Sequence, residues 1–205
     1  MTKSLLAGLI AVLPLAAADS GAMSSSERAY LLDQLEQSKK AMLSTIGGVS
    51  QSQWTFKPAP NVWSVEECAE HLILAEDFLM STAQKVLKTP AVERPANSNA
   101  EMDHKLVEGI QDRSRKATAP EPIVPAGKFA TPANAAKEFA SRRDKSIAYV
   151  KTTNDELRIH VAPGPAGPMD AYQFLLLMAS HTLRHTAQMR EVQGNADYPK
   201  TAAAR

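Results

Sequence analysis

Two histidines four residues apart, His181 and His185, stand in the stretch HTLRHTAQ, which reads as helix. One helical turn separates them, so both rings leave the same face and can hold one ion together. They lie on the stripe Phe174, Met178, His181, His185, Gln188, Val192, whose alternating steps of four and three mark the seam of a helix facing a bundle core. A third histidine, His71, falls on the apolar face of another predicted helix, between Cys68 and Ala75. A buried neutral imidazole needs partners for both nitrogens, and two on one core seam make that need hard to meet. Bundle cores assemble metal sites from inward side chains on facing helices, and three imidazoles with a fourth position open suit a catalytic ion better than a structural one. The same rings could instead be core or rim histidines bonded to serine, backbone or water, and spacing alone leaves both readings standing.

The elements that must position these rings are delimited by proline. Thirteen prolines divide the chain, and the long gaps between them are where helices can run. Helix one starts at the capping box Ser24/Glu27, carries Leu31, Leu35, Met42 and Ile46 at helical spacing, and stops at Gly47-Gly48. Helix two opens with a second box, Ser64/Glu67, and presents a broad apolar face, Cys68 to Leu79, ending near Lys88. Helix three has Thr131 as cap, Pro132 in its first turn, and Ala136, Phe139, Ile147 and Val150 as its buried stripe. Helix four follows Asp170, with Gln173 in the box position, and runs to Gly194. The fold class is therefore all-α, a four-helix bundle with a long crossover between helices two and three. That crossover, residues 89–130, holds a further predicted helix from Asn99 to Lys116 and the proline-rich APEPIVPAG. It is long enough to cross the bundle, so helices two and three need not be antiparallel neighbours. The linker before helix four, LRIHV and then APGPAGP, is expected to contain a short extended piece.

Composition narrows the function classes. With 23 basic and 22 acidic residues in 205, no basic field is available to hold nucleic acid. The single cysteine, Cys68, excludes an internal disulfide and any multi-cysteine zinc module. Lys3 followed by the apolar run LLAGLIAVLPLAA and the small residues Ala16-Ala17-Ala18 has the pattern of a secretory signal, expected to be cut before Asp19. The run is too short to span a bilayer and is interrupted by Pro14, so no stable membrane insertion is expected after cleavage. The expected organisation is a signal peptide over 1–18 and one domain over 19–205, periplasmic or secreted, or cytoplasmic if the run is retained.

The strings VWSVEECAEHLILAE at 62–76, HTLRHTAQ at 181–188 and QWTFKPAP at 53–60 resemble the DinB/YfiT-like superfamily of metal-dependent enzymes. A Trp-Ser lead into helix two, a histidine further along it, and His-x-x-x-His followed by Gln on the last long helix occur here in the family's order. The resemblance spans Ser24 to Gln193. It implies a four-helix bundle with a long crossover, and a divalent metal held by His71, His181 and His185. Zinc is the first expectation and nickel the next, since imidazole suits several metals. The resemblance also implies a small-molecule substrate and a homodimer. Its characterised members include thiol-dependent transferases. Export would remove the chain from thiol-rich surroundings, which favours a hydrolase-like enzyme over a thiol-dependent S-transferase. A noncatalytic bundle that binds metal or a small molecule is the further alternative, because no general base stands out.

The remaining polar residues read as structural. Glu67 is occupied by its capping box, Glu76 is expected off-axis from His71, and Arg184 and Glu191 look like a solvated face. Gln188 could bond a ligand or neighbouring backbone. His104 reads as solvated, His160 as a loop residue, and Cys68 as a small apolar filler. Trp54 and Trp63 are expected to cover the bundle end, with Trp63 also able to floor a pocket.

Overall fold

The computed structural model describes residues 21–200. The expected leader over 1–18, and residues 19 and 20 of the expected domain, lie outside the described residues. Six helices carry the fold: α1 (Ser25–Ile46), α2 (Gln51–Trp54), α3 (Val65–Val86), α4 (Ala100–Gln111), α5 (Pro132–Thr152) and α6 (Ala171–Gln193). A two-stranded antiparallel hairpin, β1 (Val161–Gly164) with β2 (Gly167–Asp170), precedes α6. The four long helices expected from the proline gaps are α1, α3, α5 and α6. No described helix is long and apolar enough to cross a membrane.

Each long helix begins where its cap dictates. Ser24, Ser64 and Asp170 form reciprocal capping boxes with Glu27, Glu67 and Gln173. Thr131 accepts from the Asn134 N–H ahead of Pro132, which suits the first turn because its missing N–H would have had no helical partner. Each box satisfies two donors that the helix start would otherwise leave bare.

α6 packs against α1, α3 and α4, while α5 packs against α1 and α3. Two apolar clusters fill the interior. One gathers Leu31 and Leu35 of α1, Leu79 to Val86 of α3, Ile147 and Val150 of α5, and Ala171 to Ala179 of α6. The other gathers Met42 and Ile46, Val65 to Ile73, Ala135 and Phe139, and Met189 and Val192. The order in which each helix meets the two clusters fixes direction: α3 and α5 run parallel, and α1 and α6 run oppositely. Parallel neighbours need a connection that returns along the bundle, which is why residues 87–131 are so long. Near the division between the clusters sits a buried polar set with one member from each long helix, Ser38, Glu76, Arg143 and Thr182. Arg143 donates to Glu76, Ser38 and Thr182 and to the Leu35 carbonyl.

One expectation needs correction. The crossover helix ends at Gln111 instead of running to Lys116. Asp112 turns to extended geometry and accepts from the Ser114 N–H, a local turn that competes with continuing the helix. The short extended piece expected in the linker before α6 is this hairpin, which takes Val161 from LRIHV and the glycine- and proline-rich residues after it. Leu157 and Arg158 are instead wholly buried in the preceding loop, where the Arg158 N–H donates to the Gly21 carbonyl.

Candidate metal centre

His71 reaches the interior from the second turn of α3, and His181 and His185 reach it from successive turns of α6. Their ring centroids lie 4.9, 4.6 and 4.5 Å apart, pair by pair. One ring nitrogen from each falls within 4.8 Å of the others. The three candidate residues are thus brought together, and among the described residues no other cluster of potential metal ligands forms.

Hydrogen bonds on the outer side of two rings fix which nitrogen faces inward. The His71 Nδ1–H donates to the Ile123 carbonyl at 2.7 Å, since a carbonyl only accepts. The His185 Nδ1–H donates to the Gln188 Oε1 at 2.9 Å. Both rings therefore keep the Nε2 lone pair free. His71 Nε2 lies 3.1 Å from His181 Nε2. If His181 donates there, its buried Nδ1 is left as an acceptor with no partner; if it does not, two lone pairs face each other. A cation shared through the two Nε2 atoms would relieve the facing lone pairs, while the buried His181 Nδ1 would still lack a partner.

The electrostatics keep the rings in the ligating state. Burial lowers the pKa of His71 below its ordinary 6.5, only partly opposed by the Ile123 carbonyl. Burial and then the neighbouring His185 and His71 push His181 well below 6.5, and burial with His71 brings His185 to about 3. All three are neutral near pH 7, so their lone pairs are available. His71 is 2% exposed while His181 and His185 are half-buried, so access to the cluster lies on the α6 side.

The surroundings revise several expectations. Trp63 stands 4.9 Å from the His71 ring and stacks at 6.0 Å on His185, walling the cluster, whereas Trp54 is fully buried and donates to the Phe129 carbonyl. Arg184 and Glu191 are not a merely solvated face. Arg184 donates to the carbonyls of Ile110, Asp112 and Arg115, and Glu191 pairs with Arg113 at 2.7 Å, so both dock the crossover onto α6. Arg113 also donates to Gln188 Oε1, which orients the amide that holds His185. Glu76 is buried against Arg143. Glu70, which the sequence did not single out, is 0% exposed and accepts from three successive backbone N–H groups of the crossover. A charged residue next to His71 on the apolar side of a helix was the available signal for it.

Residues expected to be ordinary are so. His104 is exposed beside Tyr30, and the His160 Nδ1–H donates to the Thr89 carbonyl. Cys68 is buried, with its thiol pKa raised by burial. A cavity of about 560 Å³ lined by Gln84, Lys88, Glu156 and His160 lies toward the far end of α3, about 20 Å along the helix from His71. It is separate from the cluster.

The chain is similar to the uncharacterized protein YuaE of Bacillus subtilis (strain 168), with 29% identity over 147 residues that cover 71% of this chain and 86% of YuaE. No solved structure matches it significantly. The sequence profile of the DinB superfamily matches residues 34–189, a span that contains all three clustered histidines and the crossover that embraces them, and the chain belongs to that superfamily.

Proposed function

We propose that the protein is a metal-dependent, hydrolase-like enzyme that holds one divalent ion, zinc first and nickel next, on His71, His181 and His185. The observation that carries this reading is the convergence of three neutral imidazoles whose outer nitrogens, on His71 and His185, are already committed as donors. An ion bound there would supply Lewis acidity toward an oxygen or sulfur donor of a small-molecule substrate, with three protein ligands leaving a position for it.

The chain's own residues contribute orientation and exclusion. Ile123 and Gln188 set two tautomers, and Trp63 shields the His71–His185 side from water. Nearby carboxylates are engaged elsewhere: Glu67 with its cap and Lys57, Glu70 with the crossover, Glu76 with Arg143, Glu191 with Arg113. That observation favours a second reading, a noncatalytic bundle that binds metal or a small molecule.

Elemental analysis of protein purified without an affinity tag tests the metal reading. About one equivalent of a divalent metal is expected, lost in His181→Ala, since removing a ligand exceeds the 10–100-fold cost of outer-shell changes. Stoichiometric metal retained by His181→Ala overturns the site. Metal-dependent turnover in a panel of esters, amides and thiol conjugates supports hydrolysis or transfer according to the substrate cleaved; silence throughout favours the noncatalytic bundle.

A further inference from the structure

Adjacent residues of α3 grip the crossover at two points. The His71 Nδ1–H bonds the Ile123 carbonyl, and the Glu70 carboxylate receives the N–H groups of Ala126, Gly127 and Lys128 at 2.8, 2.8 and 3.0 Å. Three successive backbone N–H groups turned onto one carboxylate make an anion-binding concavity, or nest. Gly127 supplies the left-handed residue, with φ of 78°. A carboxylate that is 0% exposed and bonded to three N–H groups anchors the loop firmly. Only Val124 and Pro125 lie between this anchor and Ile123, and proline fixes its own φ while confining the residue before it. The anchor therefore sets where the Ile123 carbonyl lies.

We propose that Glu70 and Gly127 are positioning residues for the metal centre: the nest they form holds the Ile123 carbonyl, and through it the tautomer and ring orientation of His71. Neither residue bonds a histidine ring. The part of the proposal that concerns metal affinity rests on the three-histidine reading; the part that concerns the His71 ring does not.

Glu70→Gln is nearly isosteric but replaces one accepting oxygen with an N–H₂ that faces the nest's own donors. Gly127→Ala leaves every side chain in place and meets nothing within 4 Å, but it strains the positive φ. Zinc affinity by chelator competition is read together with the imidazole N–H resonances of His71 and His185 in ¹⁵N-labelled apoprotein. In Glu70→Gln, zinc binding is expected to weaken about tenfold, the lower end of outer-shell effects. The His71 Nδ1–H signal should be lost to exchange while that of His185 persists. Gly127→Ala should shift both readouts in the same sense by less, and it carries the test if Glu70→Gln does not fold.

Zinc affinity within about twofold of wild type in a folded variant, with the His71 signal intact, overturns the proposal. So does loss of both ring signals together, which would mean general loosening of the bundle. If wild-type protein binds no zinc, the proposed function fails, and the ring resonances of the apoprotein alone decide whether Glu70 positions His71.

Discussion

Two buried polar centres of this molecule are built on opposite principles. At the histidine cluster, three like groups point at one another and find their oxygen partners, where they have them, only on the outside. Around Arg158, a single guanidinium is ringed by Glu27, Asp103 and Asp170, with Ser98 on Asp170 and the face of Tyr172 at 3.8 Å. Arg158 is 0% exposed, yet its charge is compensated from every side, and it ties the starts of α1, α4 and α6 together. Glu27 and Asp170 also cap their own helices. A buried polar group that meets complementary partners is explained by the fold. Three converging imidazoles that leave a buried His181 nitrogen without a partner fit a place for something bound between them. Distance from complementarity, more than burial, separates the candidate site from the scaffold.

The largest effect expected from breaking this contrast is at the scaffold centre. Arg158→Met should cost about 3–5 kcal/mol of stability, because it leaves the buried Asp103 and Asp170 without their cation, while Glu27 keeps Arg94. A lower urea midpoint at unchanged slope would register it, and zinc affinity of the remaining folded protein should not move. At the cluster the balance reverses. Gln188→Leu removes the acceptor for His185 and should weaken zinc binding about 10–100-fold while leaving the urea midpoint close to wild type.

Acid should separate the two centres by pH. The histidines have native pKa values below their ordinary 6.5, so below that value the unfolded chain takes up protons that the native apoprotein refuses, and stability falls. Burial raises the Glu27 pKa, but the Ser24 N–H and Arg158 outweigh it and hold it at about 2. Its contribution is complete above its ordinary 4.5 and is lost as the pH drops toward 2. Denaturation midpoints of the apoprotein should therefore decline below 6.5, a stage that saturating zinc should deepen; below 4.5 the lost Glu27 contribution is opposed by Asp170, whose carboxyl pKa burial raises, so the added decline should be small. The smallest change sharpens the boundary of the site: Cys68→Ala should cost about 1 kcal/mol and leave zinc affinity unaltered, since the buried thiol packs among apolar side chains.

The scaffold and the rings were legible because both follow local rules. Ser24, Ser64, Thr131 and Asp170 announced their helices through caps that need only a few residues of chain, and His181 with His185 announced a shared face through one helical turn. His71 was legible as a polar ring in an apolar stripe. What could not be read was where the crossover lands. The Ile123 carbonyl has no side-chain signature, and the roles of Glu70, Arg184 and Glu191 exist only once residues 110–128 lie against α3 and α6. Arg158 was equally silent, because its three partners come from distant segments. Glu76 is off-axis from His71 as expected, but its partner could not be read: Arg143 sits on a parallel helix that sequence proximity does not pair with it.

Holding His71 by the crossover has a kinetic consequence. A chain whose helices have assembled but whose 110–128 segment is still loose offers an ion two well-ordered imidazoles from one helix and a third free to spin or to bond through the wrong nitrogen. Capture by all three rings in their native orientation requires that segment to be docked, so ion uptake during refolding should report its closure against α3.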